Sequence, residues 1–147
     1  MQLDSLNWKI LQYLQANARQ SNAEIGREVG ISSPAVSERI KKMEDAGVIN
    51  GYHTEVSPLE VGYQLTAIIT LRAFMGKLKP FLNKVKTFDE VLNCYRITGN
   101  ENIVLEVILK DQNHLEIFID QLINYGETKT QIVLSDVIKN APILQGK

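Results

Sequence analysis

Near residue 50 the chain changes its hydrophobic rhythm. Up to Ile49 the apolar residues recur at helical spacing, and beyond it they alternate or run continuously as strands do. Leu6, Ile10, Tyr13 and Leu14 form one stripe of an amphipathic helix that ends near Ala18. Asp4 stands where its carboxylate can cap the free amides of the first turn, and Leu3 and Trp8 have the placement of a hydrophobic staple. A second helix opens on Ser21-Asn22-Ala23-Glu24, an S-x-x-E capping box, and stops at Gly30. A third begins after Ile31, with Ser32 or Ser33 as its cap and Pro34 in its first turn. It buries Val36, Ile40 and Met43 and ends at Gly47. Ile25, Val29 and Ile31 surround the Gly turn, and Gly26 falls where two helices must approach closely, so the pair predicts a helix-turn-helix. The stretch from Gly47 to Val56 is rich in β-formers and reads as a wing.

Pro58 and Gly62 mark residues 57–64 as a linker. Alternation then predicts a strand over Leu65–Phe74, and Leu78, Phe81, Leu82 and Val85 predict a helix. Strands follow at Val91–Thr98 and Ile103–Leu109, a helix through Leu115, Phe118, Ile119 and Leu122, and a last strand at Thr130–Ile138. The order βαββαβ is that of a ferredoxin-like domain, a four-stranded antiparallel sheet with both helices on one face. The fold class is therefore α+β, with a winged helix-turn-helix over 1–56, a linker over 57–64 and a ferredoxin-like domain over 65–147. Ile68, Val104, Ile108, Val133 and Val137 lie on faces opposite to Ile69, Leu105 and Leu134. An apolar second face of that size predicts a homo-oligomer whose sheets pack face to face.

Composition narrows the chemistry. One Cys and two well-separated His in 147 residues exclude an internal disulfide and a four-ligand zinc site. No apolar run approaches the length of a membrane span, and MQLDSLNWKI lacks the features of a signal peptide, so a soluble, cytoplasmic protein without a membrane partner is expected. There is no Gly-rich phosphate loop, no H-E-x-x-H and no G-x-S-x-G, and neighbouring carboxylates such as Asp89 and Glu90 are ordinary surface residues. Cys94 reads as a small buried strand residue, and His53 and His114 as exposed or structural. No catalytic residue, metal or bound cofactor is expected. A net charge of −1 argues at first against a nucleic-acid partner, and residues 1–50 balance six basic against six acidic side chains. Arg39, Lys41 and Lys42 nevertheless cluster in one helix.

Leu3-Asp4 with Ile10-Leu11, Gly30-Ile31-Ser32, Val36-Ser37-Glu38-Arg39-Ile40 and Gly47-Val48-Ile49-Asn50-Gly51-Tyr52 together resemble the Lrp/AsnC family of regulators along essentially the whole chain. The resemblance implies a transcriptional regulator that binds double-stranded DNA through its first domain and a small effector, usually an amino acid, through its second. It also implies a homodimer that assembles to a tetramer or octamer. Ser33, Pro34, Ser37, Glu38, Arg39, Lys41 and Lys42 are the expected DNA-binding residues, the serines and Arg39 meeting bases or phosphates and the lysines phosphates. The solvated alternative pairs Arg39 and the lysines with Glu38, Glu44 and Asp45 on the same helix. The family's effector turn corresponds to Gly99, Asn100, Glu101 and Asn102. Asn100 and Asn102 replace two aspartates of its Gly-Asp-x-Asp-Tyr motif, and Ile103 replaces the aromatic. A neutral Asn holds an ammonium group less strongly than a carboxylate does. An architectural DNA-binding protein with little effector response is therefore the second reading, and an enzyme or sensor working through the ferredoxin-like domain the third.

Overall fold

In the computed structural model, which describes residues 1–146, the local signals act where the sequence places them. Helix α1 (Ser5–Ala16) begins at Asp4, whose carboxylate accepts the Asn7 amide at 2.8 Å. Helix α2 (Asn22–Val29) opens on the reciprocal box: Ser21 Oγ accepts from the Glu24 amide, and Glu24 Oε2 from the Ser21 amide. Gly30 ends it at φ 77°, a left-handed turn that a side chain resists. Ser32 rather than Ser33 caps α3 (Ser33–Asp45). Ile10, Ile25, Val29, Val36 and Met43 form the buried core, with Leu6, Tyr13, Leu14 and Ile40 packed on it.

Gly26 supplies the close approach. Its carbonyl accepts from the amides of both Gly30 and Ile31, and a Cβ on it would sit 2.5 Å from the Ile31 carbonyl oxygen. Among the described residues the wing expected after α3 forms no strand: the Val48 and Ile49 amides both donate back to the Met43 carbonyl, and Asn50 to Val56 joins no ladder. Strand formers there meet no second strand, and an extended segment alone cannot close main-chain hydrogen bonds. Tyr52 ties the segment to α3 instead, donating from its hydroxyl to Glu44 Oε1 at 2.8 Å.

The second unit, Val56–Val137, is ferredoxin-like. Its elements are β1 (Leu65–Ala73), α4 (Leu78–Lys84), β2 (Val91–Arg96), β3 (Ile103–Leu109), α5 (Gln112–Leu122) and β4 (Gly126–Ile132). The sheet order is β2-β3-β1-β4, all antiparallel. Ala67, Ile69 and Leu71 of β1 and Ile103, Leu105, Val107 and Leu109 of β3 pack beneath Phe81, Val85, Phe88, Phe118 and Leu122. Phe88 and Phe118 meet edge to face at 5.2 Å. The linker contains a single 3-10 turn at Leu59–Val61.

Three expectations are corrected. The last strand is Gly126–Ile132, not Thr130–Ile138: the chain enters the sheet directly after α5, where Gly126 lies against the Arg72 and Ala73 backbone and a Cβ would stand 2.8 Å from the Arg72 carbonyl carbon. The polar run Glu127 to Gln131 hides that strand because its half-covered edge position tolerates polar side chains. Val133 still donates to the Thr66 carbonyl, after which the chain leaves the sheet, and Leu134 and Val137 are 95% and 91% exposed rather than on a sheet face. Cys94 is exposed rather than buried, because β2 is an edge strand that the helices do not cover. The domain boundaries also change: residues 138–146 pack with residues 1–55, not with the ferredoxin-like unit.

The Gly26 contact yields a direct expectation. Gly26→Ala forces the α2–α3 turn open and destabilises the first unit by more than about 2 kcal/mol, because the obstructing atom is backbone. Thermal unfolding followed by the fluorescence of Trp8, the sole Trp, measures it; an unchanged transition contradicts it.

Candidate nucleic-acid interface and effector turn

Capping and the Gly26 turn set α3 so that Val36 and Met43 face inward and the opposite face meets water. Pro34, Ser37, Glu38, Lys41 and Lys42 are exposed, and Ser33 and Arg39 are half-buried. Lys42 Nζ lies 2.7 Å from Glu38 Oε1, the helical pairing of the solvated alternative; both side chains are about two-thirds exposed (64% and 67%), which leaves such a pair weak. This contact lowers the Glu38 carboxyl below its ordinary range.

Arg39 has partners that sequence reasoning missed. Its Nη1 donates to Asp4 Oδ2 at 2.7 Å and to Asn7 Oδ1 at 2.9 Å. Asn7 is a buried polar residue of the first unit, and this bond satisfies its amide oxygen. The guanidinium therefore fastens the middle of α3 to the capped start of α1. Asp4 is held below its usual carboxylate range, first by the Asn7 amide and then by Arg39. No local pattern links residues 4, 7 and 39; only helix packing brings them together.

In the second unit the turn between β2 and β3 is shaped by Gly99, at φ 114°. Asn102 is absorbed by the turn. Its Oδ1 accepts the Ala73 amide at 3.1 Å, its own amide donates to the Leu71 carbonyl, and its carbonyl accepts from Ile97. Asn100 and Glu101 instead line a cavity of about 170 Å³ with Arg72, Glu127, Thr128 and Lys129. Glu101 Oε1 and Lys129 Nζ are 2.5 Å apart, as are Glu127 Oε2 and Arg72 Nη2. The Lys129 ammonium holds Glu101 below the ordinary carboxylate range. Arg72, Glu127 and Lys129 were not foreseen, because the β1–β4 register that sets Arg72 opposite Glu127 depends on where β4 begins.

His114 is structural: its Nδ1 accepts the Lys110 amide, so Nε2 carries the proton donated to Glu90 Oε1 at 3.0 Å. Although Cys94 is exposed, partial desolvation by its neighbours raises its thiol above the ordinary pKa, which leaves it less of a nucleophile. Among the described residues no cluster of His, Cys, Asp and Glu could hold a metal ion, and no helix is long and apolar enough to cross a membrane.

A helix-turn-helix with an exposed, capped second helix, followed by a ferredoxin-like unit with a charged cavity at a β-turn, defines a DNA-binding regulator with a ligand domain. The sequence comparisons agree. Residues 3–50 match the family described as winged helix-turn-helix DNA-binding, and residues 66–143 match the Lrp/AsnC ligand binding domain. The HTH-type transcriptional regulator Ptr1 of Methanocaldococcus jannaschii is 38% identical over 90% of this chain and 92% of its own. LrpB of Bacillus subtilis is 33% identical over 95% and 94%. Among solved structures, LrpC of B. subtilis superposes with a TM-score of 0.90 at 28% identity, over 94% of this chain and 99% of that one. A transcriptional regulator of Neisseria meningitidis in complex with L-Met does so at 0.91 and 29% identity, over 97% and 96%. The chain belongs to the Lrp/AsnC family and is a transcriptional regulator of that type.

The lowered carboxyl groups predict an acid limit. Asp4, Glu24 and Glu38 in the first unit all titrate below their ordinary values of 3.8 and 4.5. Folding stabilisation from a depressed carboxyl is complete above its unfolded pKa and is lost as pH falls through the folded value. The first unit should therefore lose stability below about pH 4, and Asp4→Asn should flatten that loss. Denaturant unfolding read on Trp8 between pH 7 and pH 3 measures both.

Proposed function

We propose that the protein is a cytoplasmic, homo-oligomeric regulator that lays α3 in the major groove, with Ser33, Pro34, Ser37, Glu38, Arg39, Lys41 and Lys42 at the interface. The exposed face of α3, held to α1 through Arg39, is the observation that carries this reading. Lys41 and Lys42 contact phosphates, and Ser37 reaches base edges. Arg39 works mainly by holding α3 in the orientation that presents these groups. With no basic excess, one protomer binds weakly, and tight binding comes from presenting two or more copies of α3 on one DNA.

The effector is an amino acid bound at the turn 99–102. What supports it is the L-Met complex of the Neisseria meningitidis relative together with the cavity lining of two cations and two carboxylates. A zwitterion meets both signs there: its carboxylate faces Lys129 or Arg72, and its ammonium faces Glu101 or Glu127. Glu101 thus takes over the charge that Asn100 and Asn102 lack. The domains follow the division 1–56, 57–64 and 65–147, amended by the return of the last residues to the first unit. The polypeptide works as a dimer or higher assembly of dimers, through the apolar side chains that the single chain leaves exposed, Tyr95 among them.

Two measurements test this. Retardation of double-stranded DNA should weaken steeply with salt, by about 0.9 log units in affinity per log unit of salt for each phosphate contact. The double variant Lys41→Ala, Lys42→Ala should lower that slope, while Arg39→Ala should weaken binding and leave the assembly unchanged by sedimentation. Failure to retard any DNA at low salt rejects the reading. For the effector, a panel of L-amino acids should change DNA affinity or assembly in the natural chain, and Glu101→Gln should blunt the response. No response to any of them favours the architectural reading.

A further inference from the structure

The first unit contains a feature that its DNA-binding role does not explain. A groove of about 370 Å³ runs between α1 and the extended segment after α3, lined by Leu3, Trp8, Leu11, Leu14, Ile49 and, from the far end of the chain, Ile143. Gln15, in the last turn of α1, holds that residue by its main chain in both directions. The Ile143 amide donates to Gln15 Oε1 at 2.7 Å, and Gln15 Nε2 donates to the Ile143 carbonyl at 3.0 Å. A side-chain amide thereby does for one residue what a neighbouring strand would do.

A second anchor lies upstream. Lys139 Nζ is 2.9 Å from Glu55 Oε1, and Asn140 turns the chain at φ 49°, a left-handed conformation that Asn tolerates better than most residues. Pro142 then limits the backbone just before Ile143, which lowers the entropy lost on docking. The contact is shallow, since Ile143 is 74% exposed and the ion pair stands in solvent. Two neutral hydrogen bonds to Gln15, the exposed Lys139–Glu55 pair and a hydrogen bond between Asn140 and Glu55 are among the contacts that hold the segment, and surface contacts of this kind keep it in place without making it permanent.

We propose that residues 138–146 are a reversible strap that docks in cis on this groove of the DNA-binding unit. Docked, the strap gives that unit two covalent crossings to the ferredoxin-like unit, at residues 55–56 and 137–138; released, it leaves only the first. A second crossing reduces the orientations open to the unit, so docking raises DNA affinity by pre-organisation, a consequence that rests on the DNA-binding reading above.

The docking is tested on the full chain carrying Cys94→Ser, Ala18→Cys and Ile143→Cys, which keeps Gln15 and the main chain it holds, treated with a short bismaleimide. Coupling within one protomer, seen as a species of protomer mass on a denaturing gel whose two thiols are joined, is the expected result. Coupling between protomers, or none, overturns docking in cis. In the otherwise natural chain, Gln15→Ala should speed hydrogen exchange of the Ile143 amide by about tenfold, and an unchanged rate overturns the clamp. A chain ending at Val137, and Gln15→Ala as a variant that keeps every residue of the strap, should both bind DNA several-fold more weakly than the natural chain. Natural affinity in both overturns the pre-organising role. If the natural chain itself retards no DNA, the DNA-binding reading and this consequence fall together, while coupling and exchange still decide whether the strap docks.

Discussion

The ferredoxin-like unit depends on the register of its central strand. β1 is paired on both edges, Leu71 with Ile103 on one side and with Thr128 on the other. That alignment puts Ala67, Ile69 and Leu71 on the helix-covered face beside Ile103, Leu105 and Val107, where their burial is the main favourable term for the unit. A slip by one residue would turn every one of these side chains to the other face. The same register delivers the cavity, because it brings Arg72 opposite Glu127 and sets the β2–β3 turn, through Asn102, against the end of β1. Core and cavity are thus consequences of one hydrogen-bond ladder.

The DNA-binding unit solves a different problem, which is to aim one short helix. α3 is 13 residues long and buries only a narrow stripe, so hydrophobic contact alone sets its position loosely. Three specific devices sharpen it. Gly26 brings the turn into contact with α2, Ser32 starts the helix at a defined residue, and Arg39 joins its middle to the Asp4 cap. Tyr52 adds a fourth at the far end: its hydroxyl donates to Glu44, and burial together with that carboxylate pushes its pKa up to about 12, so it stays a donor throughout the physiological range. Asp4 therefore serves two helices at once, capping α1 and anchoring α3.

Weak contacts have a role of their own in this chain. The Lys42–Glu38 pair and the Gln15–Ile143 clamp each lie largely in solvent, where single interactions contribute little to stability. Contacts of that strength are the ones a partner can displace. On α3, under the proposed DNA-binding reading, the displacing groups are phosphates that compete with Glu38 for Lys42. In the groove the competitor is water.

How much of this was legible varies with the range of the interaction responsible. Helix starts at Asp4, Ser21 and Ser32, the stops at Gly30 and Gly47, the βαββαβ order and the family resemblance could all be read from residues within a few positions of one another. Capping, turn chemistry and side-chain periodicity are local. The last strand was misplaced because Glu127 to Gln131 alternate no apolar stripe, and only backbone pairing with β1 makes them a strand. Cys94 was misjudged because burial depends on whether a strand lies at the sheet's edge. By itself the sequence determined the three N-terminal helices, the βαββαβ order and which face of α3 is left to solvent. Only the tertiary structure decided that Arg39 meets Asp4 and Asn7, that Arg72 and Lys129 join Glu101 at the turn, and that the chain's end returns to Gln15. Those partners are 32 or more, about 30 and 128 residues apart, and only folding brings them into one site or within hydrogen-bond reach.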